Sequence, residues 1–131
     1  MKKLLIFILS GIVIFFACFA VGIYLWIDVS VQKNIKIAKI KYPGGKAEDA
    51  LIAYLSDTTN SPKDRSHLAI WTLGQIHSEK ALPVLKKFYK NDPEGKTCYG
   101  RHSSVLCQYE IFKAINAAES NWWPLHQRLN K

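Results

Sequence analysis

The pattern of polar and apolar positions divides the chain into two parts that follow different rules. From Leu4 to Ile27 no residue carries a charged side chain. A helix of that length, at ~1.5 Å per residue, reaches about 36 Å, against a bilayer hydrocarbon core of about 30 Å. A modest tilt absorbs the excess. Tyr24 and Trp26 close the run, where rings with a polar edge favour the membrane–water interface. After Asp28, apolar residues stand singly among charged ones, as in a water-soluble domain.

The pattern therefore predicts three segments. Residues 1–27 form a transmembrane anchor, 28–45 a basic juxtamembrane linker, and 46–131 a helical domain. Two alternatives remain for the apolar run. Met1-Lys2-Lys3 would suit a cleaved signal peptide, but such peptides have an apolar core of only about 7–15 residues. Phe15-Phe16-Ala17-Cys18 partly matches a lipoprotein box, yet apolar residues continue beyond Cys18. In the linker, Lys33, Lys36, Lys39 and Lys41 are candidates to lie among anionic headgroups. The same stretch equally fits a stalk continuing the membrane helix, or a solvated linker helix. Pro43-Gly44-Gly45 breaks the chain before the domain.

Four helices are expected in the domain, and no strand. The first spans Ala47–Ser56, with Leu51, Tyr54 and Leu55 on one face. The second opens at Ser61-Pro62, a capping residue followed by proline at the first helical position, and runs to about His77. Its inward stripe is Leu68, Ala69, Thr72, Leu73 and Ile76. The third runs from about Glu79 to Tyr89, turning Leu82, Leu85 and Phe88 or Tyr89 inward. The fourth covers about Ser103 to Ala118, burying Leu106 or Cys107, Ile111, Ala114 or Ile115, and Ala118. A short amphipathic tail, Trp122 to Leu129, ends the chain.

The second and third helices carry a resemblance. Arg65-xxx-Ala69-xxx-Leu73-Gly74-Gln75-Ile76, followed by Ala81-Leu82-Pro83-Val84-Leu85, resembles the HEAT-like repeat of the PBS-lyase type. In that family an Arg-xxx-Ala-xxx-Leu-Gly helix precedes an Ala-Leu-Pro-x-Leu helix. The match is specific over 64–88 and weaker on either side. It implies an all-α fold: a transmembrane helix, then an α-hairpin solenoid of about two repeats, 47–77 and 79–118. The longer run from Tyr42 to Glu110 also resembles small bacterial membrane-anchored HEAT-repeat proteins. Solenoids normally need about three repeats to cover their ends. Here the C-terminal tail, the cysteine pair or a partner must do so. The resemblance covers a scaffold and implies no activity.

Charge and candidate chemistry refine this reading. The net charge of +8 favours anionic partners, and beside an anchor the simplest are lipid headgroups. No nucleic-acid-binding motif accompanies the charge, so nucleic acid is not an expected partner. Cys98 and Cys107 are the candidate disulfide, in a loop whose closure is worth about 2–3 kcal/mol. A zinc site on Cys98, His102 and Cys107, with His126 as fourth ligand, is the alternative, although zinc sites usually space their cysteines more tightly. Free thiols are the third possibility. Positive charges flank the apolar run on both sides, so they do not set its orientation. A disulfide fits an oxidising compartment, which places the domain outside the cytoplasmic membrane.

Catalytic chemistry finds little footing. His67 and His77 lack a nucleophile–acid arrangement. Glu48 with Asp49, and Asp92 with Glu94, read as helix-start and turn acids. No phosphate-binding glycine loop or nucleophile-elbow motif is present. The expectation is a non-enzymatic protein-interaction scaffold at a membrane, with no cofactor. The alternative is a small structural subunit of a larger membrane complex. Candidate partner contacts are Arg65, Trp71, Gln75, Trp122 and Trp123, since Arg and aromatic residues are enriched at binding hot spots.

Overall fold

The structure is a computed structural model describing residues 2–119, with side chains from 9 onward. It separates into two compact units, Met1–Gln32 and a second beginning at Lys33. All regular structure among the described residues is helical. One helix, α1 (Lys2–Lys41), contributes to both units.

Between Leu9 and Trp26 α1 leaves most of its apolar side chains bare. Val13, Ile14, Phe15, Phe16, Phe19, Leu25 and Trp26 are all exposed. The helix is long and apolar enough to cross a membrane, and none of its apolar window is buried. Its β-branched and aromatic residues cost little helix propensity where every backbone group is bonded within the segment.

The second unit begins on the same helix but obeys the opposite rule. Ile35 and Ala38 are buried, while Lys33, Lys36 and Lys39 point to solvent. The segment expected as a linker is therefore helical as far as Lys41 and supplies a buried seam. Asn34 donates to Thr72 Oγ1 at 3.0 Å. Beyond Lys41, Tyr42 donates to Asp57 at 2.5 Å, Lys41 bonds Asn60, and Asn60 donates to the Tyr54 carbonyl at 2.8 Å. These contacts fasten the end of α1 to the loop after the next helix.

That helix, α2 (Ala47–Ser56), has the expected bounds, and it buries Leu51, Tyr54 and Leu55 together with Ala50. Next comes α3, over 62–75, in three pieces: Pro62–Asp64, a π-helical turn Arg65–Ile70, and Trp71–Gln75. Ser61 caps it as expected, its Oγ accepting from the Asp64 N–H at 3.1 Å. The π turn changes the inward face. A wider turn inserts one residue and shifts the phase of everything before it. Arg65, Ser66, Ala69 and Ile70 are therefore buried, whereas Leu68 is half-buried.

The C-terminus of α3 is closed by His77 in the left-handed region, φ 53°. Ser78 N–H reaches the Leu73 carbonyl and His77 N–H reaches Gly74, the pattern that usually takes glycine. His77 Nδ1 lies 2.6 Å from the Ala117 carbonyl and must donate to it, tying this turn to the last helix.

A 3-10 turn, Glu79–Ala81, leads into α4 (Leu82–Phe88), with Leu85 fully buried. The last described helix, α5 (Gln108–Ala118), starts later than the expected Ser103. Cys107 explains this. Its N–H donates to Ser66 Oγ at 3.1 Å and its backbone is extended, so the chain cannot be helical there. α5 packs on the C-terminal half of α3 and on α4. Gly74 permits the first contact, because a Cβ there would lie 3.1 Å from Ala114 Cα. Ala69 and Ala81 are both fully buried.

Candidate functional site

The densest group of chemically capable side chains lies in the loop between α4 and α5. Asp92 organises its entry. Its carboxylate accepts from the Lys96 N–H at 3.0 Å, and from the Thr97 N–H and hydroxyl at 2.8 Å each. These bonds, chiefly those from Thr97, hold the Asp92 pKa below the usual carboxylate range. Asp92, expected as a solvated turn acid, is thus the residue that folds the turn.

Gly95 follows with φ 68°. A Cβ at this position would meet Tyr109 Cβ at 2.7 Å and Cys98 Sγ at 3.2 Å, so both conformation and space demand glycine. A single 3-10 turn, Lys96–Cys98, then delivers Cys98 inward.

Cys98 and Cys107 are both buried, with their sulfurs at bonding distance and their Cα atoms 4.9 Å apart. That spacing is within the usual range for a disulfide. The pair pins the loop to the start of α5. Between them, the Ser104 and Val105 N–H groups both bond the Arg101 carbonyl. This turn brings His102 beside the sulfurs. Ligating atoms of Cys98, His102 and Cys107 all lie within 4.8 Å of one another.

A fourth group arrives from the π turn of α3. Ser66 holds the Cys107 N–H, and the next residue, His67, presents its ring 6.2 Å from that of His102. Both imidazoles are exposed. The sequence holds no signal for this approach, since His67 and His102 are 35 positions apart. The expected fourth ligand, His126, lies outside the described residues, as do Trp122, Trp123 and the rest of the tail.

The other candidate residues are scattered. Arg65 was expected to face a partner; it is only 7% exposed and serves the core. Its Nε donates to the Leu55 carbonyl at 2.7 Å, and its guanidinium sits 5.2 Å over the Phe88 ring. Burial lowers its pKa, opposed in part by the Asp57 carboxylate. The π turn is what draws it inside. Trp71 and Gln75 are half-buried on the same helix. Lys33, Lys36 and Lys39 share the solvent side of α1 with Ile40, which is 73% exposed, while Lys41 is engaged with Asn60. Tyr99, at 89% exposure, is the barest aromatic side chain among the described residues of the second unit.

Two structural polar residues escaped sequence reasoning. Gln108 accepts from the Lys90 N–H at 2.6 Å and donates to the Phe88 carbonyl at 3.3 Å, fastening α4 to α5. Asn60 performs the same service for α1 and α2. Buried amides of this kind satisfy backbone groups at helix ends, and only the tertiary arrangement identifies them.

No protein-family profile, curated protein or solved structure matches the chain.

Proposed function

We propose that the protein is a non-enzymatic protein-interaction module held at the bacterial cytoplasmic membrane by a single span, with its folded domain on the extracytoplasmic side. The observation that carries this reading is the bare helix of the first unit. Exposed Ile14, Phe15, Phe16 and Phe19 in water would be a severe aggregation liability, and a lipid phase removes it. Two features support the rest. The cysteine pair suits an oxidising compartment. The close seam of Gly74 on Ala114, with Ala69 and Ala81 fully buried, suits two HEAT-like helix pairs, 47–77 and 79–118. Trp71 and Gln75, with Trp122 and Trp123 of the tail, are the proposed contacts for another protein. Lys33, Lys36 and Lys39 are proposed to meet anionic lipid.

A rival draws on the same bare helix. As a structural subunit of a larger complex, the protein would pack Phe15, Phe16 and Phe19 against neighbouring spans. Extraction in mild detergent separates the two: an interaction module leaves as a free or loosely bound species, a subunit as one fixed large assembly.

Membranes washed in alkaline carbonate test the anchor. Retention of the chain is expected, and release into the supernatant would remove the proposal. A membrane-impermeant maleimide tests the side. Cys98 and Cys107 should react in intact cells only after reductant. Reaction without reductant, and only once the cells are opened, would place the domain in the cytoplasm.

A further inference from the structure

We propose that Cys98, Cys107, His102 and His67 form a tetrahedral zinc site when the cysteine pair is reduced, so that bridged and metal-bound states are alternatives of one cluster. Four observations converge on it. The ligating atoms of three of the residues already lie within 4.8 Å of one another. The fourth ring is 6.2 Å from the third, whereas two imidazoles on one tetrahedral ion have ring centres about 5 Å apart. Both imidazoles are exposed and so can turn without disturbing the core. The backbone beneath the cluster is fixed from both sides, by the Ser66–Cys107 hydrogen bond and by Gly95 against Cys98.

The ligand types agree with this choice. Two thiolates and two imidazoles are a borderline-soft set that takes zinc in closed tetrahedral geometry. Carboxylates are absent from the cluster, so calcium and magnesium have no fit. The cysteine spacing is longer than in most zinc sites, but here a 3-10 turn and the Arg101 turn fold the intervening chain back on itself.

The conversion balances with a dithiol reductant. Two electrons and two protons pass from the dithiol to the Cys98–Cys107 bond, giving two thiols and the reductant's own disulfide. The sulfurs then separate to about 3.8 Å, as two Zn–S bonds of about 2.3 Å at a tetrahedral angle require. Zinc binding releases both thiol protons. A disulfide oxidant reverses the step: it takes two electrons from the two thiolates and, with two protons from water, leaves as two thiols, while the Cys98–Cys107 bond closes and the zinc ion is released.

The full chain in detergent provides the test, with cobalt(II) as the optical probe and zinc as competitor. After reduction by a phosphine, which becomes the phosphine oxide as water supplies oxygen and protons, one metal per chain is expected. The cobalt form should show thiolate-to-metal charge transfer and the intense visible bands of a tetrahedral ion. The oxidised chain should bind none. His67→Gln and His102→Gln should each weaken binding by at least about tenfold, with helical circular dichroism unchanged. Cys98→Ser should weaken the charge-transfer band, since one thiolate remains, and remove the high affinity. Sub-stoichiometric metal in the reduced chain overturns the site. So does equal binding by the oxidised chain, or affinity unmoved by either histidine substitution.

Discussion

The two ends of α1 make the most instructive comparison in the molecule. They share one helix and much the same stock of isoleucine and valine, yet one leaves these side chains bare and the other buries those on one face. Ile14 is 63% exposed and Ile35 is 8% exposed. Near Ile14 every face is apolar, so the helix has no inside and needs an apolar surrounding. Near Ile35 lysines occupy the far side, so burial on the domain is the favourable outcome in water. The lesson is that hydrophobic content says a side chain will leave water, while its neighbours around the helix decide what it leaves water for.

Cutting the helix separates its two ends most directly. A chain beginning at Lys33 keeps Ile35, Ala38, the Asn34–Thr72 bond and the Tyr42–Asp57 bond, and should fold as a soluble domain. A chain beginning at Lys46 loses all of them, at a cost of about 5 kcal/mol or more, comparable to a small domain's whole stability. Chemical denaturation followed by circular dichroism reads the difference. Two equally cooperative transitions would show that the seam on α1 contributes nothing.

Matched substitutions sharpen the same point. Ile35→Ala should lower the domain's unfolding free energy by about 2–5 kcal/mol, while Ile14→Ala should leave it within about 0.5 kcal/mol. Ile14→Asp should reverse the ranking for membrane retention, since a carboxylate near the bilayer centre costs about 2.5–3.5 kcal/mol on insertion scales. Denaturation midpoints and carbonate extraction report these separately. If Ile14→Ala destabilised the domain as much as Ile35→Ala, the division into two regimes would fail.

Within the second unit, Gly74→Val should cost about 1–3 kcal/mol, because its side chain would displace the α5 backbone at Ala114. An unchanged denaturation midpoint would mean that the two helices are not held together there.

The smallest effect concerns pH. The Asp57 pKa is pulled down to about 2, first by the Tyr42 hydroxyl and then by Thr59. A depressed carboxylate stabilises the fold fully above its unfolded pKa of about 3.9. That contribution fades as pH falls towards 2. Stability measured between pH 5 and pH 2 should therefore decline less steeply in Asp57→Asn than in the parent chain. Parallel profiles would exclude the Tyr42–Asp57 contact as a source of the acid sensitivity.

Legibility in the sequence varied with the range of the interaction involved. The bare span, α2 and the Ser61-Pro62 start of α3 could all be read, because composition, periodicity and capping are local. The seam at the end of α1 was present as Ile35 and Ala38, continued by Tyr42, at i, i+3 and i+7, but Ile37 and Ile40 on other faces obscured it. The cysteine pair was visible as a choice among bridge, metal site and free thiols. The π turn was not visible, since one inserted residue leaves no compositional mark, and it misplaced both Leu68 and Arg65.

Reading along the chain was enough to mark the bare span, the Ser61-Pro62 helix start and the helical character of the domain. Those properties rest on single residues and their near neighbours. Helix packing was needed to set Gly74 on Ala114, to delay α5 until Cys107 is bonded to Ser66, and to bring His67 to His102. Each depends on positions at least 35 residues apart, whose proximity follows only once close packing has selected one arrangement of the helices.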